Sequence, residues 1–177
     1  MANIKTLEIT NFKNFAQKTV IEFDSGMNVI TGENGSGKSN LLECIDFVLG
    51  NRILRTQTNL DLFNLSNSSN VITVTLTTST NDCITRKLNK ISKNKTYSKY
   101  FINDKPVLKA VTRRFFKEVK YEIIDDCGIG LSKDKILIYA ENLNLKVKNN
   151  QIIVVSNRNE IIDIADKVIN ITKKDEK

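Results

Sequence analysis

The sequence predicts an α/β fold on three observations: a glycine-rich loop between a strand and a helix, an antiparallel β-rich front half around it, and a β-α-β ending. The loop is Gly32-Glu33-Asn34-Gly35-Ser36-Gly37-Lys38-Ser39, which fits the pattern G-x-x-x-x-G-K-[ST]. Met27 to Thr31 before it is strand-like. Beyond it Leu41, Cys44, Ile45, Val48 and Leu49 recur at helical spacing up to Gly50, a left-handed C-cap candidate. That context separates a phosphate-binding loop from a glycine turn that merely precedes a helix. Glycines let successive backbone N–H groups curl around phosphate oxygens, and the helix start adds partial positive charge. In such a loop Lys38 reaches the outer phosphates and Ser39 holds Mg²⁺.

Taken in order, Ile4 to Thr10 reads as a strand, residues 11–15 turn the chain, and Thr19 to Phe23 returns as a second strand. Asp24-Ser25-Gly26 is a tight turn into the strand that feeds the loop. Residues 51–70 are polar and read as a loop with at most one helical turn. Val71 to Thr77 alternates, with Ile72, Val74 and Leu76 on one face and threonines on the other, which predicts a half-buried strand. Ile84 to Leu88 and Thr96 to Ile102 continue an antiparallel sheet, with Asn103-Asp104 as a turn. Pro106 suits the first position of a helix running to about Val119, with Leu108, Val111, Phe115 and Val119 inward.

Tyr121 to Cys127 reads equally as strand or helix, broken at Gly128 and Gly130. Ile136 to Ala140 is a short apolar run that predicts a strand buried on both faces, and Gln151 to Val155 is another. Asn157 with Glu160 three residues later fits a helix N-cap pair, followed by Ile161, Ile164, Ala165 and Val168 as an apolar face. Val168 to Ile171 offers a last strand. Parallel strands need such a helical crossover. The charged tail 173–177 is expected to be disordered.

Composition narrows the chemistry. The chain has 177 residues, no histidine and three cysteines, Cys44, Cys83 and Cys127, spaced for neither a metal nor a disulfide. His-based nucleophilic triads and His metal sites are therefore excluded. No apolar run approaches the about 18 residues of a membrane span and none marks a signal peptide, so an intracellular protein without membrane contact is expected. The net charge of +7 is concentrated: residues 81–120 hold twelve Lys/Arg against three acids. Such a segment attracts polyanions, or it is simply a solvated face.

Together these residues resemble the ATPase head of the structural maintenance of chromosomes (SMC) family, in the ABC-type P-loop class. Ile4 to Phe15, with Asn11-Phe12-Lys13-Asn14-Phe15, is similar to the family's opening strand and turn. Gly32 to Asn40 reads G-E-N-G-S-G-K-S-N, the family's own version of the loop, and Phe47-Val48-Leu49-Gly50 continues it. Arg52 and Arg55 fall where the family carries a nucleotide-reaching arginine. Tyr100 to Lys105 resembles its Tyr-Tyr-Ile-Asn-Gly-Lys segment, and Ile124 to Ile129 the piece just before its coiled coil. Gln151 to Arg158 through Val168 resembles its last strand-loop-helix, in a condensin-like form.

The resemblance implies a reduced head over residues 1–172, N-lobe-like over 1–120, a junction over 121–135 and C-lobe-like over 136–172. It implies ATP and Mg²⁺ as cofactors, with Lys13, Asn14, Gly32, Asn34, Gly35, Ser36, Gly37, Lys38, Ser39, Asn40 and Arg55 at the nucleotide and Ser39 at the metal. It also implies a second SMC-like head or a homodimer as partner, DNA along segment 81–120, and a place on the chromosome, in nucleus or nucleoid. The departures are large. Coiled coil, hinge, the Mg²⁺-sensing glutamine and the Leu-Ser-Gly-Gly signature have no counterpart, and Leu131-Ser132-Lys133-Asp134 lacks the glycines. Ala140 stands where a magnesium-supporting aspartate is expected. Glu141 is then either the water-polarising catalytic carboxylate or the plain end of a core strand. Asn157 takes the switch-histidine position. ATP binding with weak or no hydrolysis is the expectation. The alternatives are a partner-dependent ATPase using Glu141 and a non-catalytic DNA- or subunit-binding module. A small-molecule kinase is disfavoured by the β-rich insert after the first helix.

Overall fold

A computed structural model describes residues 2–51, 53, 55–117, 119–125 and 127–172. The expectations for Arg52 and for the tail 173–177 lie outside the described residues. The chain divides into two compact units, Met1–Glu22 with Glu43–Val119, and Phe23–Leu42 with Lys120–Lys177.

The first unit is built on six antiparallel strands in the order β2-β1-β4-β5-β6-β7. These are β1 (Ile4–Thr10), β2 (Thr19–Glu22), β4 (Val71–Thr78), β5 (Cys83–Ser92), β6 (Lys95–Ile102) and β7 (Lys105–Val107). β4 shows why they pair. Its alternate residues Ile72, Val74 and Leu76 are fully buried, while Thr73, Thr75 and Thr77 between and beyond them are half-buried. The register sets Leu7 opposite Leu76 and Leu76 opposite Ile84, so one face is an unbroken apolar row. β6 and β7 are joined through Asn103 and Asp104, both at positive φ, the geometry of a tight hairpin turn. The polar stretch after α1 (Lys38–Val48) contains one 3₁₀ turn, Asn59–Leu62, capped by the Thr58 hydroxyl.

On the buried face of β5 lies Arg86, only 6% exposed. Its guanidinium sits 4.0 Å from the centre of the Phe47 ring and donates to the Phe47 carbonyl (2.9 Å) and to Ser98 Oγ (3.0 Å). Burial draws its pKa below the ordinary arginine value, with Tyr100 partly opposing.

The second unit carries a four-stranded, wholly parallel sheet, β10-β3-β9-β8. Its strands are β8 (Tyr121–Ile124), β3 (Met27–Thr31), β9 (Gln151–Val155) and β10 (Lys167–Asn170). The two central strands are buried on both faces, as a parallel sheet requires. The crossovers are α3 (Lys133–Val147) and the short α4 (Asn159–Ile162). Ile136, Ala140 and Leu143 of α3 pack with Met27, Val29, Ile152, Val154 and Ile161.

Several expectations are corrected here. Ile136 to Ala140 is not a strand but the middle of α3. Its buried positions recur at 136, 140 and 143, a helical period, while Leu137 and Ile138 are exposed. Within the stretch from Tyr121, residues Tyr121–Ile124 form strand β8, and Cys127 begins a turn. Pro106 lies in the edge strand β7, where a missing N–H is tolerated, and α2 spans only Lys109–Phe116. Leu108 and Val111 are consequently exposed, at 78% and 44%. Arg158, not Asn157, is the N-cap of α4, and Val168 belongs to β10. No helix among the described residues is long and apolar enough to cross a membrane.

Asp166 secures the entry to β3: its carboxylate accepts from the Met27 N–H at 2.6 Å. A Cβ on Gly26 would lie 2.0 Å from that carboxylate oxygen. Gly26→Ala is therefore expected to displace Asp166 and destabilise the protein by about 1–2 kcal/mol, read as a lower urea midpoint. An unchanged midpoint would show that the cap contributes nothing.

Candidate functional site

The loop Gly32 to Gly37 joins β3 to α1, and both flanks place it at the carboxyl end of the parallel sheet, where α/β folds bind ligands. Gly32, Gly35 and Gly37 all have positive φ, so the chain folds back on itself as side-chain-bearing residues would not. At Gly32 a Cβ would stand 2.2 Å from the Ile171 carbonyl oxygen, so the backbone passes there only as glycine. The loop closes through Ser36 N–H to the Glu33 carbonyl (3.1 Å), and Leu41 N–H to the Gly37 carbonyl (3.0 Å) continues it into the helix. Lys38 Nζ curls back to donate to the carbonyls of Gly32 (2.7 Å) and Glu33 (2.9 Å). Asn34 and Gly35 are exposed at the loop's tip, and Asn40 is half-buried in the first turn of α1.

Asp125, which directly follows β8, completes the site. Ser39 Oγ faces Asp125 Oδ1 at 3.5 Å, a spacing at which the two oxygens can share one small cation. Asn157, after β9, points at the loop entrance. Its Oδ1 accepts from Thr31 Oγ1 (2.9 Å) and from the Gly32 N–H (3.2 Å). Asp125 was not read this way from sequence, and Asn157 only through the resemblance, at the switch-histidine position. For Asp125 the signal was an apolar stretch, Tyr121 to Ile124, ending in two aspartates, Asp125 and Asp126, of which the second lies outside the described residues. For Asn157 none exists locally, because its partners are more than 120 residues away.

The loop fits a phosphate. Ser36 Oγ is buried, has no hydrogen-bond partner among the described residues, and sits 2.9 Å from where a Gly32 Cβ would be. The first turn of α1 carries no acidic residue to compete for an anion. Ser39 and Asp125 fit a hard divalent cation by donor type.

The remaining expected site residues are placed as follows. Lys13, Asn14 and Arg55 belong to the first unit. Lys13 forms an ion pair with Glu43 of α1, both side chains being mostly buried (15% and 11% exposed), and its backbone is at positive φ. Asn14 and Arg55 are exposed turn residues. Glu141 lies on the solvent side of α3, with no strand leading to it. The Ala140 beside it packs into the apolar cluster, so it is a core residue and not a failed metal ligand. Burial pushes the Cys44 thiol well above its ordinary pKa, with the Glu43 carboxylate adding to the rise, and burial raises Cys127 too. These thiols are not nucleophiles. The basic segment 81–120 builds β5, β6, β7 and α2, with Lys87 and Lys99 directly opposed on neighbouring strands.

Residues 3–123 match the family model described as RecF/RecN/SMC N terminal domain. The chromosome partition protein Smc of Lactiplantibacillus plantarum is 53% identical over 53 residues, which are 30% of this chain and 4% of that protein. The DNA replication and repair protein RecF of Pediococcus pentosaceus is 52% identical over 59 residues, 33% of this chain and 16% of that one. The chain thus matches only a small part of these relatives' length. In fold it is similar to the SmcHead in a crystal structure with the C-winged helix domain of ScpA. There the TM-score is 0.86 at 15% identity, covering 98% of this chain and 95% of that one.

Proposed function

The chain belongs to the RecF/RecN/SMC N terminal domain family, and on that premise we propose that it is a head that binds ATP with Mg²⁺ and hydrolyses it slowly or not at all alone. One observation carries the reading: Ser39 of the loop and Asp125 beyond β8 face each other at 3.5 Å beside a lysine-bearing phosphate cradle. The loop N–H groups and Lys38 would hold the phosphates. Ser39 and Asp125 would hold the metal. The metal, when bound, neutralises charge on the phosphate oxygens.

Asp125 replaces Ala140 and Glu141 as the acidic end of the site. The chain has no Leu-Ser-Gly-Gly stretch to offer a second head, and missing positioning groups typically cost about 10²-fold or more in rate each. Turnover is therefore proposed to await a partner head that carries one, in a role on the chromosome like that named for the relatives.

The test is calorimetric titration with ATP, with and without Mg²⁺. Wild-type protein is expected to gain about tenfold or more in affinity from the metal, a gain of about 1.4 kcal/mol. Asp125→Asn is expected to lose that gain while keeping the metal-free affinity. A variant with an intact Mg²⁺ response would remove Asp125 from the site.

A further inference from the structure

The six-stranded sheet ends unevenly. β6 has eight residues, but β7 has three and pairs only with Tyr100, Phe101 and Ile102. Beyond Val107 the chain turns away into α2, so among the described residues no strand lies beside Lys95 to Lys99 on that side. An unpaired strand edge presents alternating N–H and C=O groups, a template for one more strand. Where β7 departs there is a groove of about 480 Å³, lined by Tyr97, Lys99, Pro106, Val107, Leu108 and Lys109 among others. Two of its walls are large apolar side chains left in solvent, Leu108 at 78% exposure and Tyr97 at 55%.

The charge around this edge is of one sign. Residues 93–109 contain five lysines (Lys93, Lys95, Lys99, Lys105 and Lys109) against Asp104 alone. Lysines on an edge repel a second copy of the same strand, so the edge is closed to self-pairing. They remain open to an acidic partner.

We propose that the β6 edge, Lys95 to Lys99, takes an extended acidic polypeptide segment as an added strand that continues the line of β7. Lys95, Tyr97 and Lys99 share one face of β6. On that face the added strand would present one apolar side chain to the groove at Tyr97 and Leu108, and carboxylates two residues to either side of it would meet Lys95 and Lys99. A nucleic acid strand fits the lysines but not the edge. Its phosphate backbone offers acceptors only and leaves the outward carbonyls of β6 unpaired, whereas a peptide backbone matches both kinds of group. The segment needed is short, about 17 Å for five residues at strand spacing.

The experiment uses the full chain, ¹⁵N-labelled, with a valine–glutamate peptide, Glu-Thr-Val-Thr-Glu, whose valine and two glutamates share one face, the same peptide N-methylated at alternate amides, and oligothymidylate. With the valine–glutamate peptide, amide exchange at residues 95–99 is expected to slow by about tenfold or more, and N-methylation to weaken binding by about tenfold. Leu108→Glu, at an exposed position, is expected to weaken it by a similar factor of about ten through repulsion and the lost apolar contact. Unchanged exchange at 95–99 under saturating peptide overturns the proposal. So does equal binding of the methylated peptide, which would reduce the effect to charge. Stronger protection of the same amides by oligothymidylate would assign the surface to nucleic acid instead.

Discussion

Lys38→Ala is expected to lower ATP affinity by about 100-fold or more, while the urea unfolding midpoint shifts by less than about 1 kcal/mol equivalent. The ammonium is the one cation that the loop itself carries, and its reach is visible in the bonds it already makes to the carbonyls of Gly32 and Glu33. Charge-assisted hydrogen bonds contribute about 1.5–3 kcal/mol each, and two to phosphate oxygens suffice for the predicted loss. The loop keeps its shape without Lys38, because its glycine conformations and the Ser36 to Glu33 turn are backbone features. Calorimetry gives the affinity and circular dichroism the fold. Undiminished binding in a folded Lys38→Ala protein would mean that ATP binds elsewhere.

Arg86→Ala is expected to destabilise the first unit by about 3 kcal/mol, which makes it the largest structural effect we foresee. The substitution removes a guanidinium that lies over both the Phe47 and Tyr100 rings, and it strands Ser98 Oγ. The Phe47 carbonyl keeps the Gly50 N–H as a donor, so that part of the loss is small. Arg86→Met is expected to recover roughly half of the deficit, since an unbranched side chain refills most of the space without a buried charge. Urea titrations of the three proteins separate these contributions. If alanine and methionine are equally destabilising, polar contacts dominate over packing.

What could be read from sequence and what could not divides by the range of the interactions. The loop and its flanks were legible because glycine at positive φ is a local steric requirement, met at Gly32, Gly35 and Gly37. β4 was legible because alternation of valine or isoleucine with threonine has one cheap conformation. Ile136 to Ala140 misled for a physical reason: five apolar residues suit a doubly buried strand or one turn of a buried helix equally. Only the packing of 136, 140 and 143 on the sheet decides between them. Taking that run for a strand put Glu141 forward as the acidic end of the site. The position proposed instead, Asp125 after β8, depends on a contact with Ser39 across 86 positions of chain. Asn157 shows the same limit, with a local N-cap pattern overruled by distant bonds to Thr31 and Gly32.

The order of strands in the parallel sheet also bears on how the protein is made. Both neighbours of β3, which carries the loop, are synthesised more than 120 residues after it: β9 and β10. Until then an apolar strand and its glycine loop have no sheet to join, whereas β1, β2, β4, β5 and β6 can pair as they emerge. Contacts of such long separation form late and slowly. During translation β3 therefore stays unpaired while about 120 further residues are made. The proposed nucleotide site would then be completed in a single late step, when residues 151–170 pair alongside β3.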